Sequence, residues 1–245
     1  MTTEEADRFL AACSVLGDHE LERRLLHSEV TDVEMFRSST ADTYEFHFAD
    51  GSRGAFKSIE GAGKNAAAFQ HTAASVVLND VSAWLVARAL GYDHLIQGVV
   101  IVTCSAADVS LGTLQHWFPG EPGGPGWEDA SQLRHAALLD ALIGHQDRNA
   151  TNFSYDGDAD ELGLYDNSFS FALPGHQTSA SEILRVAHGR DPALGDDLAA
   201  ALDRFDGSME RDALSRILPP ERWGRVLERA TMMRERGELL APLDF

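Results

Sequence analysis

The chain has 245 residues, 44% of them hydrophobic, and a formal net charge of −19. That length accommodates one bilobal unit or two modest domains around a sizeable core. The acidic surface repels phosphate backbones and anionic headgroups, so neither nucleic-acid binding nor stable membrane association is expected.

The two cysteines, Cys13 and Cys104, are too far apart to suggest a disulfide framework or a metal motif. The N-terminal MTTEEADRFLAACSVLG lacks a basic region followed by an apolar core, and no run of about 18 apolar residues occurs, so a cytoplasmic protein is expected. Phe9, Leu10, Cys13 and Leu16 recur at helical spacing and 18–26 continue similarly, which predicts one or two short helices packed on a sheet. From about 28 to 59 the period becomes two. Val30, Val33 and Met35, then Tyr44, Phe46 and Phe48, mark strands, and the turn Ala49-Asp50-Gly51-Ser52 leads into a further strand over 53–59. Lys57 lies in that last strand between apolar neighbours, which is ordinarily a solvent-facing position.

A long helix is predicted over 66–90, closed by Gly91. Phe69, Ala73, Val76, Trp84 and Ala87 share one face of it with Asp80. A carboxylate on an apolar stripe is costly unless paired, and Lys57 is the available mate; the alternative is an Asp80 solvated at the stripe's edge. Gly61-Ala62-Gly63-Lys64 lacks the first glycine of a phosphate loop and has Asn65 where Ser or Thr must reach a metal, so it reads as a connection. Val99 to Cys104 form a strand. Leu111 to Phe118 follow, and the GEPGGPG run over 120–126 is the best boundary between an N-terminal lobe, 1–119, and a C-terminal lobe, 120–245. Helices are predicted from Trp127 or Glu128 to about Gly144 and again over 180–187, 194–205, 209–218 and 220–236. The last four read as a supporting helical subdomain without chemistry of its own. The ten histidines show no ligand spacing.

Chemistry concentrates in Leu138 to Phe171, LLDALIGHQDRNATNFSYDGDADELGLYDNSFSF. A helix ends near Gly144, Asp147 and Asn152 follow five apart, and strands 153–155 and 162–165 alternate around Asp156-Gly157-Asp158, returning the chain to Asp166. Glu161 stands where a calcium loop of the EF-hand type requires Gly, so the acidic run is a turn. Pairing the strands draws Asn152 and Asp166 together. Phosphoryl transfer needs this set: a carboxylate to orient and deprotonate the attacking hydroxyl, and an amide oxygen with a second carboxylate to hold Mg²⁺ against ATP. Each residue alone is also an ordinary turn-former.

The pattern D-R-x-x-x-N, followed about 14 residues later by L-x-x-D-N after a helix ending L-I-G, resembles the phosphoinositide-3/4-kinase-like branch of the protein-kinase-like fold, including its small bacterial members and the HipA-like toxins. It spans roughly 35–171. The resemblance implies an α+β bilobal fold, with an antiparallel sheet and one long helix in the N-lobe and a mostly helical C-lobe. It implies ATP and Mg²⁺ between the lobes, with Asp147 catalytic and Asn152 and Asp166 on the metal. Lys57 would hold the α- and β-phosphates and be oriented by Asp80. Ser38 and Ser39 would lie in the phosphate-covering turn. Gln115, His116, Trp117 and Phe118 would form the adenine-facing hinge, although Trp117 and Phe118 suit a core cap equally.

Asp80 replaces the family's Glu, Asn149 its His in D-R-H, and Ser168 its Gly. The reaction implied is γ-phosphoryl transfer to an unidentified hydroxyl acceptor, protein or soluble small molecule rather than lipid. AMP transfer on the same fold and an inactive nucleotide-binding regulatory module are the alternatives.

Overall fold

The structure is a computed structural model that describes residues 1–36, 43–62, 66–69, 71–105, 110–173 and 181–241. Strands β1 (Val30–Met35), β2 (Thr43–Phe48), β3 (Arg53–Ser58), β4 (Val99–Cys104) and β5 (Ser110–His116) form one sheet in the order β1-β2-β3-β5-β4. Every pairing in it is antiparallel. Because side chains alternate across a strand, Phe46, Phe48, Phe56, Val100 and Leu114 gather on one face with Leu25 of α2 (Glu20–His27), forming a small core of their own. The opposite face is mixed, with Val99, Ile101 and Leu111 packed toward the C-terminal core. Lys57 sits on it, in register between Thr43 and Thr113.

Two features hold Lys57 in place along the strand. Asp50 caps the β2–β3 hairpin by accepting from the Ser52 N–H at 2.9 Å. Gly112 of β5 pairs with Ser58, and a Cβ there would stand 2.2 Å from the Lys57 carbonyl oxygen, so the two strands approach as closely as they do because residue 112 has no side chain.

A short helix α3 (Ile59–Ala62) and a single 3₁₀ turn (Ala66–Phe69) precede the long helix α4 (Ala73–Leu90). The predicted helix over 66–90 is therefore a turn and a helix. Thr72 adopts an extended conformation, and its hydroxyl accepts the Ser75 N–H while Ser75 accepts the Thr72 N–H. That reciprocal cap starts the helix at 73. Gly91, at φ 77°, ends it. Helix α4 is buried on nearly every side, Asn79, Asp80 and Ser82 included. Its length and mean hydropathy of 1.3 would suffice to cross a membrane, yet 83% of it lies inside the fold. A helix apolar all round marks the centre of a core.

The C-terminal part is built on α5 (Leu133–Ile143), the sheet β6 (Glu121–Pro122), β7 (Phe153–Asp156) and β8 (Glu161–Leu164), and the helices α6 (Glu182–Arg190), α7 (Gly195–Asp206), α8 (Met209–Ile217) and α9 (Pro220–Arg236). These helices share one large core with α4, and α1 (Thr3–Cys13) joins it through Phe9 and Ala12. Thus α2 lies on the sheet as expected, whereas α1 packs against α4 and α8 instead. Asp80 points from α4 to the face of the sheet that carries Lys57. The β7–β8 hairpin delivers Asp166 to the same place.

Candidate active site

Lys57 is where the parts meet. Its Nζ lies 2.6 Å from Asp166 Oδ1, 2.6 Å from Ser168 Oγ and 3.5 Å from Asp80 Oδ2. Asp166 and Ser168 thus accept hydrogen bonds from the ammonium, and Asp80 forms a longer ion pair with it. Burial works against its charge, but Asp166 and Asp80 outweigh burial and lift the amine above its ordinary range. Asp80 is 3% exposed, and burial raises its carboxyl despite Lys57. Its Oδ2 also accepts from Ser168 Oγ at 3.1 Å and Thr113 Oγ1 at 3.5 Å, while Oδ1 has no hydrogen-bond partner. Burial likewise opposes the charge of Asp166, and Lys57 reverses the balance and holds that carboxyl below its ordinary range.

Asp166 occupies the left-handed region, φ 52° and ψ 57°, a conformation a non-glycine residue adopts at a cost. It turns the chain out of β8, and Asn79 fixes the next stretch by donating to the carbonyls of Ser168 at 2.7 Å and Ser170 at 3.2 Å.

The turn that carries Asp147 is assembled by Arg148, which is fully buried. It grips Asp140 through both carboxylate oxygens at 3.0–3.3 Å. It also donates to the Asn152 carbonyl at 2.8 Å, the Tyr165 carbonyl at 2.5 Å and Asn167 Oδ1 at 2.6 Å. One guanidinium therefore ties the end of α5, the turn and the far strand of the hairpin together. The Tyr165 N–H adds a bond to the Asn152 carbonyl at 3.2 Å. That is how residues 152 and 166 become neighbours. His145 reinforces the arrangement: its Nδ1 accepts the Asp147 N–H at 3.1 Å, so Nε2 carries the proton and donates to the Asp166 carbonyl at 3.1 Å. Burial, with Arg148 adding to it, lowers this imidazole to about 4, and it is neutral.

Asp147 is oriented by two amides. Asn149 Nδ2 donates to its Oδ1 at 3.0 Å, and Asn152 Nδ2 to its backbone carbonyl at 2.6 Å and to Oδ2 at 3.4 Å. Burial lifts the Asp147 carboxyl above its ordinary range, with Asp166 adding to it and the two amides opposing. Asn152 spends its nitrogen on Asp147, and its oxygen accepts a long bond from Thr151 at 3.4 Å. Among the described residues no group of three His, Cys, Asp or Glu side chains forms a metal cage. The donor set is one carboxylate and one amide oxygen, which suits a hard cation that keeps waters and phosphate oxygens as its other ligands.

The hinge candidates separate. Gln115 faces the C-terminal hairpin and donates to the Leu164 carbonyl at 3.1 Å. The side chain of His116 is turned by strand alternation to the other face, where it is buried beside Phe48. Trp117 meets Phe36 edge-on at 5.6 Å, with the Arg53 guanidinium 5.2 Å from its ring centre. Phe118 is buried on Gly163, where a Cβ would come within 2.1 Å of the ring. Ser38, Ser39 and Gly63 to Asn65 lie outside the described residues.

Arg148, Asn149, His145, Asn79 and Ser168 were not picked out as site residues in the sequence. For Arg148 a signal existed. A carboxylate at Asp140 on an otherwise apolar helix requires a cation, and Arg148 is the first one after it.

No protein-family model and no curated protein sequence matches the chain. Solved structures do match it. The Golgi casein kinase with Mn/ADP bound has a TM-score of 0.53 at 14% identity, covering 96% of this chain and 82% of that one. A second Golgi casein kinase structure gives 0.53 at 14% identity over 91% and 76%. Hydra Fam20 with sugar gives 0.55 at 13% identity over 96% and 94%.

The fold is protein-kinase-like. These neighbours support that broad architecture and do not single out the phosphoinositide-3/4-kinase-like or HipA-like branch.

Proposed function

We propose that the chain is an ATP- and Mg²⁺-dependent phosphotransferase that moves the γ-phosphoryl group to a hydroxyl of a protein or soluble small molecule in the cytoplasm. The observation that carries this reading is the junction at Lys57, where an amine from the sheet meets a carboxylate from α4 and another from the hairpin at 3.5 and 2.6 Å. A kinase-like neighbour holding Mn and ADP supports the same use of the cleft.

In this reading Lys57 exchanges its Asp166 contact for an oxygen of the α- or β-phosphate while Asp80 keeps it in place. Asn152 Oδ1 and Asp166 would hold the divalent ion. When bound, that ion would neutralise charge on the phosphate oxygens. Asp147 accepts the proton of the attacking hydroxyl. Burial that raises its carboxyl moves it toward the pH at which a general base works best. Gln115 links the sheet to the C-terminal hairpin through the Leu164 carbonyl, beside the expected adenine site. The acidic surface favours an acceptor that is not a lipid.

ATP labelled at the α or γ position separates this reading from its rivals when the protein is incubated with Mg²⁺ and a panel of hydroxyl-bearing peptides and small molecules. Transfer of the γ label is the expected result. Transfer of the α label means AMP transfer, and saturable binding without turnover means a regulatory module. Asp147→Ala is expected to abolish transfer and leave Mg-ATP affinity nearly intact.

A further inference from the structure

We propose that Ser168 is a positioning residue, a hydroxyl spacer that lets the short Asp80 hold Lys57; the proposal rests on the phosphotransferase reading. The Ser168 hydroxyl accepts from Lys57 Nζ at 2.6 Å and donates to Asp80 Oδ2 at 3.1 Å. The direct Lys57–Asp80 contact is longer, 3.5 Å. Ser168 is 2% exposed, so water does not substitute for its hydroxyl. The serine is locked from behind, since Asn79, the residue before Asp80, donates to its carbonyl at 2.7 Å. Adjacent residues of α4 thus hold one serine by its side chain and by its backbone.

The two departures from the resembled pattern, Asp for Glu at 80 and Ser for Gly at 168, are then one change. A Glu at 80 would reach the amine directly. An Asp falls one methylene short, and the serine side chain fills the space and relays the hydrogen bond. The serine lies two residues after Asp166, so the relay also fastens the hairpin's far end to α4.

This arrangement predicts sign-changing coupling between the two positions. Ser168→Ala and Ser168→Gly each remove the two hydrogen bonds to Lys57 and Asp80 and are expected to weaken nucleotide affinity about tenfold. Asp80→Glu alone is expected to weaken it as well, because the added methylene meets the serine in a close-packed site. The double variant Asp80→Glu with Ser168→Gly conserves total volume and restores the direct bridge, so it should recover affinity to within about threefold of the wild type.

A second readout is independent of nucleotide. Lysine occurs only at 57 and 64, so modification by a small amine-directed reagent, resolved by peptide mass spectrometry, reports Lys57 against an internal standard. Each of the three single variants should raise Lys57 labelling several-fold, and the double variant should return it to the wild-type rate. Losses that add in the double variant, or unchanged labelling in Ser168→Ala, overturn the proposal. Rescue of the labelling pattern in a protein that binds no nucleotide would uphold the positioning of Lys57 and remove the phosphotransferase reading instead.

Discussion

At the scale of single residues, the candidate base Asp147 depends on the amide of Asn149, where the resembled pattern has His. Asn149 Nδ2 donates to the Asp147 carboxylate at 3.0 Å and the Asn149 oxygen accepts from the Thr151 N–H at 2.9 Å, so the asparagine is itself pinned. Asn149→Ala is expected to lower kcat about tenfold with little change in KM for ATP, since it loosens the base and leaves the phosphate contacts alone. Steady-state kinetics check this. Arg148 belongs to a different class. It is fully buried, paired with Asp140 at 3.0 Å, and joined by Ser181, whose hydroxyl donates to the same carboxylate at 2.8 Å. Arg148→Ala strands a buried carboxylate and should cost about 3–5 kcal/mol in denaturant unfolding.

Lys57, Asp80, Asp147, Asn152 and Asp166 could be named from order, spacing and an unpaired charge on an apolar stripe only with the kinase resemblance beside them; the structure brings Lys57, Asp80 and Asp166 together. The residues that hold them could not, with Arg148 the exception. His145 and Ser168 act through contacts 21 and 88 positions away along the chain.

At the scale of elements, backbone approach explains what periodicity misses. Alternation gave the strand faces, and applied from Lys57 and Thr113 outward it also separates Gln115 from His116. The start of α4 was misplaced because the Thr72–Ser75 cap uses serine where the familiar pattern has Glu or Gln. Gly163 lets Phe118 lie flat on β8. Gly163→Ala places a Cβ within 2.1 Å of that ring, and should lower stability by about 1–3 kcal/mol, read as a fall in Tm.

His71 shows how packing on α4 creates a pH dependence. Its Nδ1 accepts from Asn79 at 3.2 Å, and burial, with Arg222 adding to it, lowers its pKa to about 3 from an ordinary 6.5. The unfolded chain binds a proton there below pH 6.5 that the folded chain refuses until about pH 3. Its contribution to stability is therefore complete above the upper value and falls as pH drops through the window. Urea titrations between pH 7 and 4.5 should show wild-type stability falling more steeply than that of His71→Leu, by up to about 1.4 kcal/mol per pH unit. Parallel slopes would contradict it.

For the whole molecule, two cores explain why one site forms between them. The small phenylalanine-rich core stiffens the sheet from its outer face, while the large core fixes α4, α5 and the C-terminal helices as one body. Lys57 belongs to the first body; Asp80, Asp147, Asn152 and Asp166 belong to the second. The helices expected to lack chemistry serve the second body. Arg222 and Arg229 of α9 donate to the carbonyls of Phe171 at 2.6 Å and Leu142 at 2.9 Å, beside both ends of the catalytic stretch.

A bilobal α+β architecture was legible because the hydrophobic period switches from two to three or four along the chain. The membership of α1 in the second body was not, since an amphipathic helix does not name the surface it covers. The central claim is that these two bodies close on a nucleotide at Lys57. The most direct test is a crystal structure with Mg²⁺ and a non-hydrolysable ATP analogue. The account predicts phosphate oxygens at Lys57 Nζ and the metal between Asn152 and Asp166. Nucleotide bound elsewhere, or none at saturating concentration, would contradict it.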